Sequence, residues 1–346
     1  MNIRAGDWVV VKTWDEIAAS LGPSGELENL PFMAEMRHYC GQRLQVAAVA
    51  HKTCDTINKT GGRRVANAIH LKGVRCDGLD HGGCQAGCLI FWKTEWLRHV
   101  DGSPVTPVVR ATQSTVSTID ELRATGVRLK DGKQVYSCQA TRLFEASTPL
   151  AWWDLRQYIR DLACGNVTLG RFLRVATLRV AYNLRRPRHG RRLAVALYDM
   201  LHSLLTGRPT PYRRGLIPRG QPTPVDTLHL TAGERVEVKS LEEILPTLSD
   251  NVRNRGMRFD PEMAQFCGQR FSIDRRVDRI IDERTGTMLT MMTPCIVLDG
   301  AVCSSEYSAG RVFCPRQLEP YFREIWLRRI STDRERPGEP GHSGHA

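Results

Sequence analysis

One pattern occurs twice in this chain: it reads Ala5-Gly6-Asp7-Trp8-Val9-Val10-Val11-Lys12 near the start and Ala232-Gly233-Glu234-Arg235-Val236-Glu237-Val238-Lys239 further on. The offset of 227 residues persists as far as Cys40-Gly41-Gln42-Arg43 and Cys267-Gly268-Gln269-Arg270. The same register returns near the end of each copy, shifted there by a three-residue insertion. A constant offset over so many positions indicates an internal duplication.

Each copy predicts a small β-rich module. A turn at Gly6 or Gly233 leads into a short β-branched strand, and Thr13 or Ser240 then caps a short helix. In the second copy, further strands are predicted at residues 271–273, 277–281, 295–298 and 325–327. About five short strands in a module of this size suit a small barrel, which hides its sheet edges by closure.

The predicted fold is mostly β with a helical insert, in which two small SH3-like barrels flank a basic α-helical segment. The 346 residues fit two or three domains, and 41% apolar residues suffice for a packed interior. The predicted boundaries are module one at 1–100, a linker with a short strand or helix at 101–150, a basic helical insert at 151–207, a Pro/Gly-rich linker at 208–231, module two at 232–331 and a disordered tail at 332–346.

The ends and the hydropathy of the chain bear on its compartment. The N-terminus lacks the charged-then-apolar layout of a secretion signal, and no run of eighteen apolar residues predicts a spanning helix. We therefore expect a cytoplasmic protein, either free or peripheral to the inner face of the membrane. In a reducing compartment, the eleven cysteines are expected to be free, buried, catalytic or metal-bound rather than disulfide-linked.

Cysteine positions that survive in both copies are the candidates for metal binding. The pairs are Cys40 with Cys267, Cys76 with Cys303, and Cys84 with Cys314. Module one adds His81 and Cys88 within a glycine-rich loop, and module two offers Cys295. Glycine-rich loops let a backbone wrap an ion, so these nine residues are predicted ligands of zinc. An iron–sulfur cluster is the alternative, since Cys314 is followed by proline as in ferredoxin ligation.

The competing interpretation treats cysteine as a small buried hydrophobe. It is favoured for Cys54, Cys138 and Cys164, which have no match in the other copy. For the matched pairs, metal binding and packing both stay open. His81 beside Cys84 also has the composition of a nucleophile–base pair, although module two has no counterpart to that histidine. No Gly-x-Ser-x-Gly elbow, phosphate-binding loop or dinucleotide fingerprint is present, so catalysis stays undecided.

The insert carries almost the whole excess charge of the chain. Residues 151–220 contain fourteen arginines, no lysine and three acids, a net charge of +11 against +12 for the entire protein. Helices are predicted at 154–163, 169–184 and 192–205. The candidate residues for an acidic partner are Arg171, Arg174, Arg185, Arg186, Arg188, Arg191 and Arg192. That partner is an anionic membrane surface, another protein or nucleic acid; otherwise the arginines are simply solvated on a packed hairpin.

Several motifs resemble those of an uncharacterised bacterial protein family with duplicated cysteine-bearing modules. They are Cys-Gly-Gln-Arg at 40–43, His-Gly-Gly-Cys-Gln-Ala-Gly-Cys at 81–88 followed by Trp-Lys-x-x-Trp-Leu at 92–97, and Arg-Glu-Ile-Trp-Leu-Arg-Arg at 323–329. The opening Gly-Asp-x-Val-x-Val also resembles SH3-like barrels of the KOW kind. Members of that family are often encoded near polysaccharide or secondary-metabolite biosynthesis genes.

The resemblance implies an accessory or biosynthetic role. The expected function is a metal-binding accessory or interaction protein of a bacterial biosynthetic system, with the arginine-rich segment facing an acidic surface. One alternative is a metalloenzyme in which Cys76, His81, Cys84 and Cys88 hold an open-site zinc or a cluster. The other is a nucleic-acid-binding protein.

Overall fold

The computed structural model describes residues 3–100, 118–184, 191–308 and 310–330. Module one consists of short strands and one short helix. Its elements are β1 Trp8–Val11, α1 Trp14–Ala18, β2 Glu26–Leu27, β3 Leu30–Pro31, β4 Arg43–Val49, β5 Lys52–Cys54, β6 Gly62–Val65, β7 Ala68–Arg75, β8 Leu89–Lys93 and β9 Leu97–His99. A β-rich module with a short capped helix is thus confirmed.

The main sheet of module one has the strand order β8-β7-β4-β1-β9, and the pairs are antiparallel. Side chains alternate along β1, so that Val9 and Val11 are buried while Trp8 is exposed. The core behind the sheet is aromatic: Phe32 packs edge-on against Trp92 and Trp96, with ring centroids 6.1 and 5.2 Å apart. These tryptophans are core residues, and they fix the strands that carry the cysteine positions.

Residues 118–150, which follow module one in the sequence, pack against that module and pair with its strands. Its described part contains α2 Ile119–Thr125, β10 Val127–Lys130, β11 Lys133–Tyr136, α3 Gln139–Arg142 and β12 Ser147–Leu150. Leu122, Cys138 and Leu143 join the core of module one, and β12 pairs with β6. The buried side chain of Gln139 donates to the carbonyls of Pro31 and Phe91, which ties α3 to the sheet.

The insert forms helices where the hydrophobic periodicity predicts them: α4 Arg156–Ala163, α5 Leu169–Leu184 and α6 Arg191–Thr206. Helix α4 is fastened to module one through Asp161, which is fully buried and accepts from His51 at 2.8 Å and Lys52 at 2.6 Å. A buried charged cluster of this kind holds α4 firmly against module one, because loss of one partner would leave an uncompensated buried charge. None of the described helices has the length and hydrophobicity needed to cross a bilayer.

Module two repeats most elements of module one, although its main sheet has four strands rather than five. It contains β13 Arg235–Val238, α7 Leu241–Ile244, β14 Arg253–Asn254, β15 Met257–Arg258, β16 Arg270–Ile281, β17 Met288–Leu298 and β18 Leu327–Arg329, with sheet order β17-β16-β13-β18. The strands predicted separately at 271–273 and 277–281 are one strand, β16, with two register shifts. At the offset of 227, β16 spans the positions of both β4 and β5.

The two modules meet through equivalent parts of each copy. Thr56 and Glu283, which stand at equivalent positions of the repeat, hydrogen-bond to each other. Arg316, only 2% exposed, binds Glu283 at 2.7 Å and Thr56 at 3.1 Å. Because equivalent residues contact one another, the modules are related by approximate twofold symmetry. We call residues 76–88 the cysteine loop of module one and residues 303–318 the cysteine loop of module two. The β5–β6 hairpin of module one contacts the cysteine loop of module two, and the β16–β17 hairpin of module two contacts that of module one.

Candidate metal centre

A buried glutamate lies at the centre of module one. Glu35 belongs to the 3-10 turn Ala34–Tyr39, in which Ala34 and Met36 face the core. The turn carries Glu35 inward as well, so that the residue is 4% exposed. Within the described part of the chain, the carboxylate oxygens of Glu35 accept no hydrogen bond from an N–H or O–H donor, and the thiol of Cys76 is the one neighbour that hydrogen-bonds to them. Burying a carboxylate in this way is costly unless a cation or a proton compensates.

The cysteine loop of module one brings two more donors to Glu35. Cys76 follows directly after β7, and its N–H donates to the carbonyl of Cys88 at 2.8 Å, which closes the loop. Gly78 has a φ of +72°, and a side chain there would collide with the backbone of Cys84, so the tight path requires glycine. This path carries His81 inward at the end of a 3-10 turn, where it is 3% exposed.

Glu35, Cys76 and His81 form a compact donor set. One oxygen, sulfur and nitrogen atom from the three residues all lie within 4.8 Å of one another. The Nδ1 of His81 is 3.7 Å from Oε1 of Glu35 and has no hydrogen-bond partner among the described residues. Atoms that bind one tetrahedral zinc ion lie roughly 3.3–3.8 Å apart, given bond lengths of about 2.0–2.3 Å. The separation of 3.7 Å between His81 and Glu35 falls in this range, and the other separations are at most 4.8 Å, so a shared ion requires the donors to close by no more than about 1.5 Å.

Burial has the largest effect on the pKa of Cys76, the one thiol of this set. It raises the pKa of Cys76 far above the usual thiol range, and the neighbouring carboxylate of Glu35 raises that pKa further. Without a cation, the sulfur is therefore protonated. A bound metal ion would replace this proton and would compensate the negative charge of Glu35 at the same time.

Three further cysteines, Cys84, Cys88 and Cys138, line a cavity together with residues of this set. A small cavity of about 40 Å³ is lined by Cys76, His81, Cys84, Cys88 and Cys138. Burial raises the pKa of Cys88 to about 12. The sulfur of Cys84 instead accepts the N–H of Ile281 from module two at 3.4 Å. Cys138, assigned to packing from the sequence, packs in the core and also lines the cavity.

Cys40 is not part of the donor set. It is half-buried and packs against the hydrophobic core of module one. Burial raises the pKa of its thiol, while the nearby Arg37 acts in the opposite direction. Its local setting is that of a packed cysteine at the edge of a core.

Module two contains the same buried glutamate in a different setting. Glu262 stands 227 residues after Glu35 and is also 4% exposed. Its carboxylate accepts from the hydroxyl of Ser304 at 2.8 Å, the N–H of Tyr307 at 2.7 Å and the hydroxyl of Ser308 at 3.0 Å. Ser308 also stands 227 residues after His81. Module two therefore has a hydroxyl donor at the position where module one has an imidazole.

The candidate ligands of module two are dispersed. Cys267 packs against the core of module two, and Cys295 is buried between Val277 and Val297. Cys303 lies 3.5 Å from the hydroxyl of Ser305, and burial raises the pKa of its thiol to about 12. Cys314 lies beside Cys54 of module one. Across the described ranges, Glu35, Cys76 and His81 are the one group of three donors that comes within metal-binding distance.

The glycine-rich loop predicts Cys76 and His81 as ligands, whereas Glu35 is not among the residues predicted from the sequence. A signal was present, because Glu35-Met36 matches Glu262-Met263 in the repeat. An acidic residue retained in both copies next to an apolar one is typical of a buried functional or structural carboxylate.

The arginines of the insert are partly used inside the protein. Arg171 and Arg174 both bind Glu306 of module two, at 2.7 and 3.0 Å, and so fasten α5 to that module. Arg191 and Arg192 begin α6, but their side chains fall outside the described part of the chain. Arg185, Arg186 and Arg188 lie outside the described residues altogether.

Exposed apolar residues follow the outer sides of the insert helices. On α6 they recur at helical spacing, and the four residues are Leu193, Leu197, Met200 and Leu204, between 61 and 81% exposed. Leu169, Leu173 and Val180 repeat this pattern on α5. Trp152 and Trp153, just before α4, are 63 and 68% exposed. Exposed apolar residues at this spacing make the insert a candidate interaction surface.

Comparison of the chain with protein-family models, with curated proteins and with solved structures finds no match. Two local features remain as the basis for function. One is the buried donor set of Glu35, Cys76 and His81, and the other is the apolar surface of the insert.

Proposed function

We propose that the protein binds zinc through Glu35, Cys76 and His81 and acts as an accessory or interaction component of a bacterial biosynthetic system. The observation that carries this proposal is the contrast between the two buried glutamates. Glu262 accepts three hydrogen bonds from hydroxyl and backbone donors, whereas in the described structure the oxygens of Glu35 have no such donor beyond the thiol of Cys76, and Nδ1 of His81 has none. A divalent cation would satisfy all three atoms at once.

The donor set favours zinc over an iron–sulfur cluster. Carboxylate, thiolate and imidazole are all common zinc ligands, whereas clusters are usually held by cysteine thiolates. Three protein donors leave a fourth position. The adjoining cavity, lined by Cys84, Cys88 and Cys138, is where a water or a further thiol would complete the coordination.

A zinc-dependent enzyme is the second candidate. Three protein ligands and an open position are typical of catalytic zinc sites, which activate a bound water. A larger cavity of about 430 Å³ lies between the modules and shares Ala86, Gly87 and Cys88 with the small one. A substrate would enter from that side. This candidate predicts hydrolytic or lyase activity that disappears when the metal is removed.

The two sheets fit the proposal of two SH3-like barrels. Both are curled antiparallel sheets in which the first strand pairs with the last, as β1 does with β9 and β13 with β18. The motif resemblance to the bacterial family of duplicated cysteine-bearing modules supports the assignment to a biosynthetic system. A cytoplasmic location belongs to the same proposal.

Metal analysis of anaerobically purified protein tests the zinc proposal. We expect one zinc per chain, colourless protein, and tightly bound cobalt after exchange, with visible absorption from a thiolate ligand. Cys76→Ser and His81→Ala are expected to lose the metal, whereas Cys164→Ser, outside the donor set, retains it. Brown protein that contains iron, or metal retained in both site variants, would overturn the proposal.

We propose in addition that the insert docks on an anionic membrane surface, peripheral to its inner face. The supporting observation is the apolar surface of α5 and α6 within a segment of net charge +11. Burying one leucine side chain contributes about 1.5–3 kcal/mol, and arginines add attraction to anionic headgroups. Nucleic acid is disfavoured as the partner, because the exposed face is aliphatic and Arg171 and Arg174 already bind Glu306.

Vesicle co-sedimentation tests the membrane proposal. The full chain is expected to bind vesicles that contain phosphatidylglycerol and to leave pure phosphatidylcholine vesicles unbound. Replacing Leu193, Leu197, Met200 and Leu204 with serine is expected to abolish binding without loss of fold, since these side chains are exposed. The matched control is Leu289→Ser with Met292→Ser, two exposed residues of module two. Equal binding by both variants, or binding to RNA that competes with vesicles, would contradict this assignment.

A further inference from the structure

The contact between the modules contains a pair of thiols that the metal centre does not use. Cys54 ends β5 of module one, and Cys314 lies in the cysteine loop of module two. In the repeat, Cys54 corresponds to Ile281 and Cys314 corresponds to Cys84. Ile281 lies against the sulfur of Cys84, so the approximate twofold symmetry brings Cys54 against Cys314. At the first contact, the backbone of Ile281 meets the sulfur of Cys84. At the equivalent contact, the side chain of Cys54 meets that of Cys314.

The backbones at this contact approach closely. A β-carbon added to Gly61 would lie 3.4 Å from the carbonyl oxygen of Gly310, so the turn between β5 and β6 rests directly on the loop of module two. Both thiols are 7% exposed. Lys52 donates to the carbonyl of Val312 at 2.9 Å and Arg316 donates to Thr56 at 3.1 Å, so the end of β5 that carries Cys54 lies along the segment that carries Cys314.

The charges around the pair differ between the two sulfurs. The neighbouring thiol of Cys314, and then Arg316 and Arg311, lower the pKa of Cys54 below the usual thiol range, although burial opposes this shift. The pKa of Cys314 is raised, first by Cys54 and then by burial. Of the two sulfurs, Cys54 lines a cavity beside Arg311, so it is the sulfur that an incoming molecule meets.

A small molecule can approach Cys54 from the surface. A cavity of about 250 Å³ is lined by Cys54, Cys303 and Arg311. This volume is several times that of one water molecule, which occupies about 30 Å³ in the liquid. The cavity therefore admits a peroxide, while the guanidinium of Arg311 lies at its wall.

We propose that Cys54 and Cys314 form a redox-active pair that a small hydroperoxide converts into a disulfide between the two modules. The thiolate of Cys54 attacks one peroxide oxygen and the O–O bond breaks. The departing oxygen leaves as water or alcohol after taking up a proton, and Cys54 becomes a sulfenic acid. The sulfur of Cys314 then attacks that of Cys54, the S–O bond breaks, and water leaves with the proton of Cys314. Two electrons pass from the two cysteines to the peroxide.

The cross-link would fasten the module contact covalently. Hydrogen bonds such as those of Arg316 hold that contact in the reduced protein. A disulfide joining residues so far apart in sequence restricts the unfolded chain and stabilises the fold. Peroxide would thereby make the contact between the two modules more rigid.

Peptide mapping of the full, zinc-loaded chain tests the proposal. The protein is treated with hydrogen peroxide, alkylated and digested, and the linked peptides are identified by mass spectrometry. We expect a Cys54–Cys314 peptide in the wild type and in the control Cys164→Ser, and none in Cys54→Ser. Cys314→Ser is expected to accumulate a sulfenic acid at Cys54 that dimedone captures.

A pulse of maleimide on the untreated wild type provides a measurement that needs no variant. Cys54 is expected to be labelled several-fold faster than Cys164 or Cys295. The absence of a linked peptide, or labelling of Cys54 no faster than that of Cys295, would overturn the proposal. So would a metal held by Cys54 and Cys314 whose removal leaves both sulfurs unreactive towards peroxide.

Discussion

The two modules carry the same glutamate, turn and cysteine, and they differ in what surrounds the carboxylate. In module two, Ser304, Ser308 and the N–H of Tyr307 all donate to Glu262. In module one, the described neighbours of Glu35 are the ring of His81, whose Nδ1 is 3.7 Å away and makes no hydrogen bond, and the thiol of Cys76. In the proposed scheme, one buried carboxylate of a duplicated scaffold serves as a structural acceptor in module two and as a metal ligand in module one. The choice depends on the neighbours that diverged.

The largest expected effect is the loss of zinc-linked stability from module one. A ligand present at a thousand times its Kd stabilises the native state by about 4 kcal/mol. Chelation is expected to lower the free energy of unfolding of the wild type by an amount of that order. In Glu35→Gln, which has already lost the metal, chelation is expected to change nothing. Denaturant titration with and without chelator measures both, and an equal response of the two proteins would contradict the comparison.

A graft tests whether the neighbours alone decide the fate of the carboxylate. Ser308→His combined with Ser304→Ala removes two donors from Glu262 and places an imidazole beside Glu262 and Cys303. We expect a second, weaker zinc site, seen by isothermal titration as a rise from one to two zinc ions per chain. Adding Cys303→Ser is the matched control and should abolish the gain. A gain that survives this control would show that the new histidine binds metal at some other place.

The hydrogen-bonded carboxylate of Glu262 predicts a smaller effect that depends on pH. Burial raises the pKa of Glu262 above that of an unfolded glutamate. A raised pKa means that the stabilising contribution is complete below the unfolded value and is lost as pH rises through the folded one. The destabilisation caused by Glu262→Gln, roughly 1–3 kcal/mol for lost hydrogen bonds, is therefore expected to shrink from acidic to neutral pH. Thermal unfolding across that range checks the direction, and a penalty that grows with pH would be inconsistent with it.

The smallest expected effect is that of Cys40, which matches Cys267 in the repeat but packs against the core outside the donor set. Cys40→Ala is expected to cost less than about 1 kcal/mol of stability, because the side chain is half-buried and small. Zinc content should stay at one ion per chain. Loss of zinc in this variant would mean that Cys40 reaches the metal and that the donor set has been drawn too narrowly.

Much of the fold could be predicted from the sequence, because repetition and periodicity are local signals. The shared register of Gly6 and Gly233 indicated the duplication, and the apolar spacing along residues 169–184 matched α5. The continuous β16 was missed, because its charged middle, Asp274 to Arg276, has no apolar alternation. Bulges within the strand accommodate these residues.

The site could be predicted only in part, because it depends on contacts between distant segments. The glycine-rich loop identified Cys76 and His81, but nothing local distinguishes a buried Glu35 from an exposed glutamate in a turn. The contacts of Cys84 with Ile281 and of Cys54 with Cys314 require the arrangement of two modules. That arrangement rests on residues such as Arg316 and Glu283, whose partners lie in different parts of the repeat.

The most direct test is the zinc content of Glu35→Gln set against that of Glu262→Gln, each purified without chelator and measured by elemental analysis. The two substitutions are chemically identical and equally buried, so general destabilisation affects both. We expect no zinc in Glu35→Gln and one zinc per chain in Glu262→Gln. Equal zinc in both variants would contradict it, because the carboxylate without hydrogen bonds would then not be the one that holds the ion.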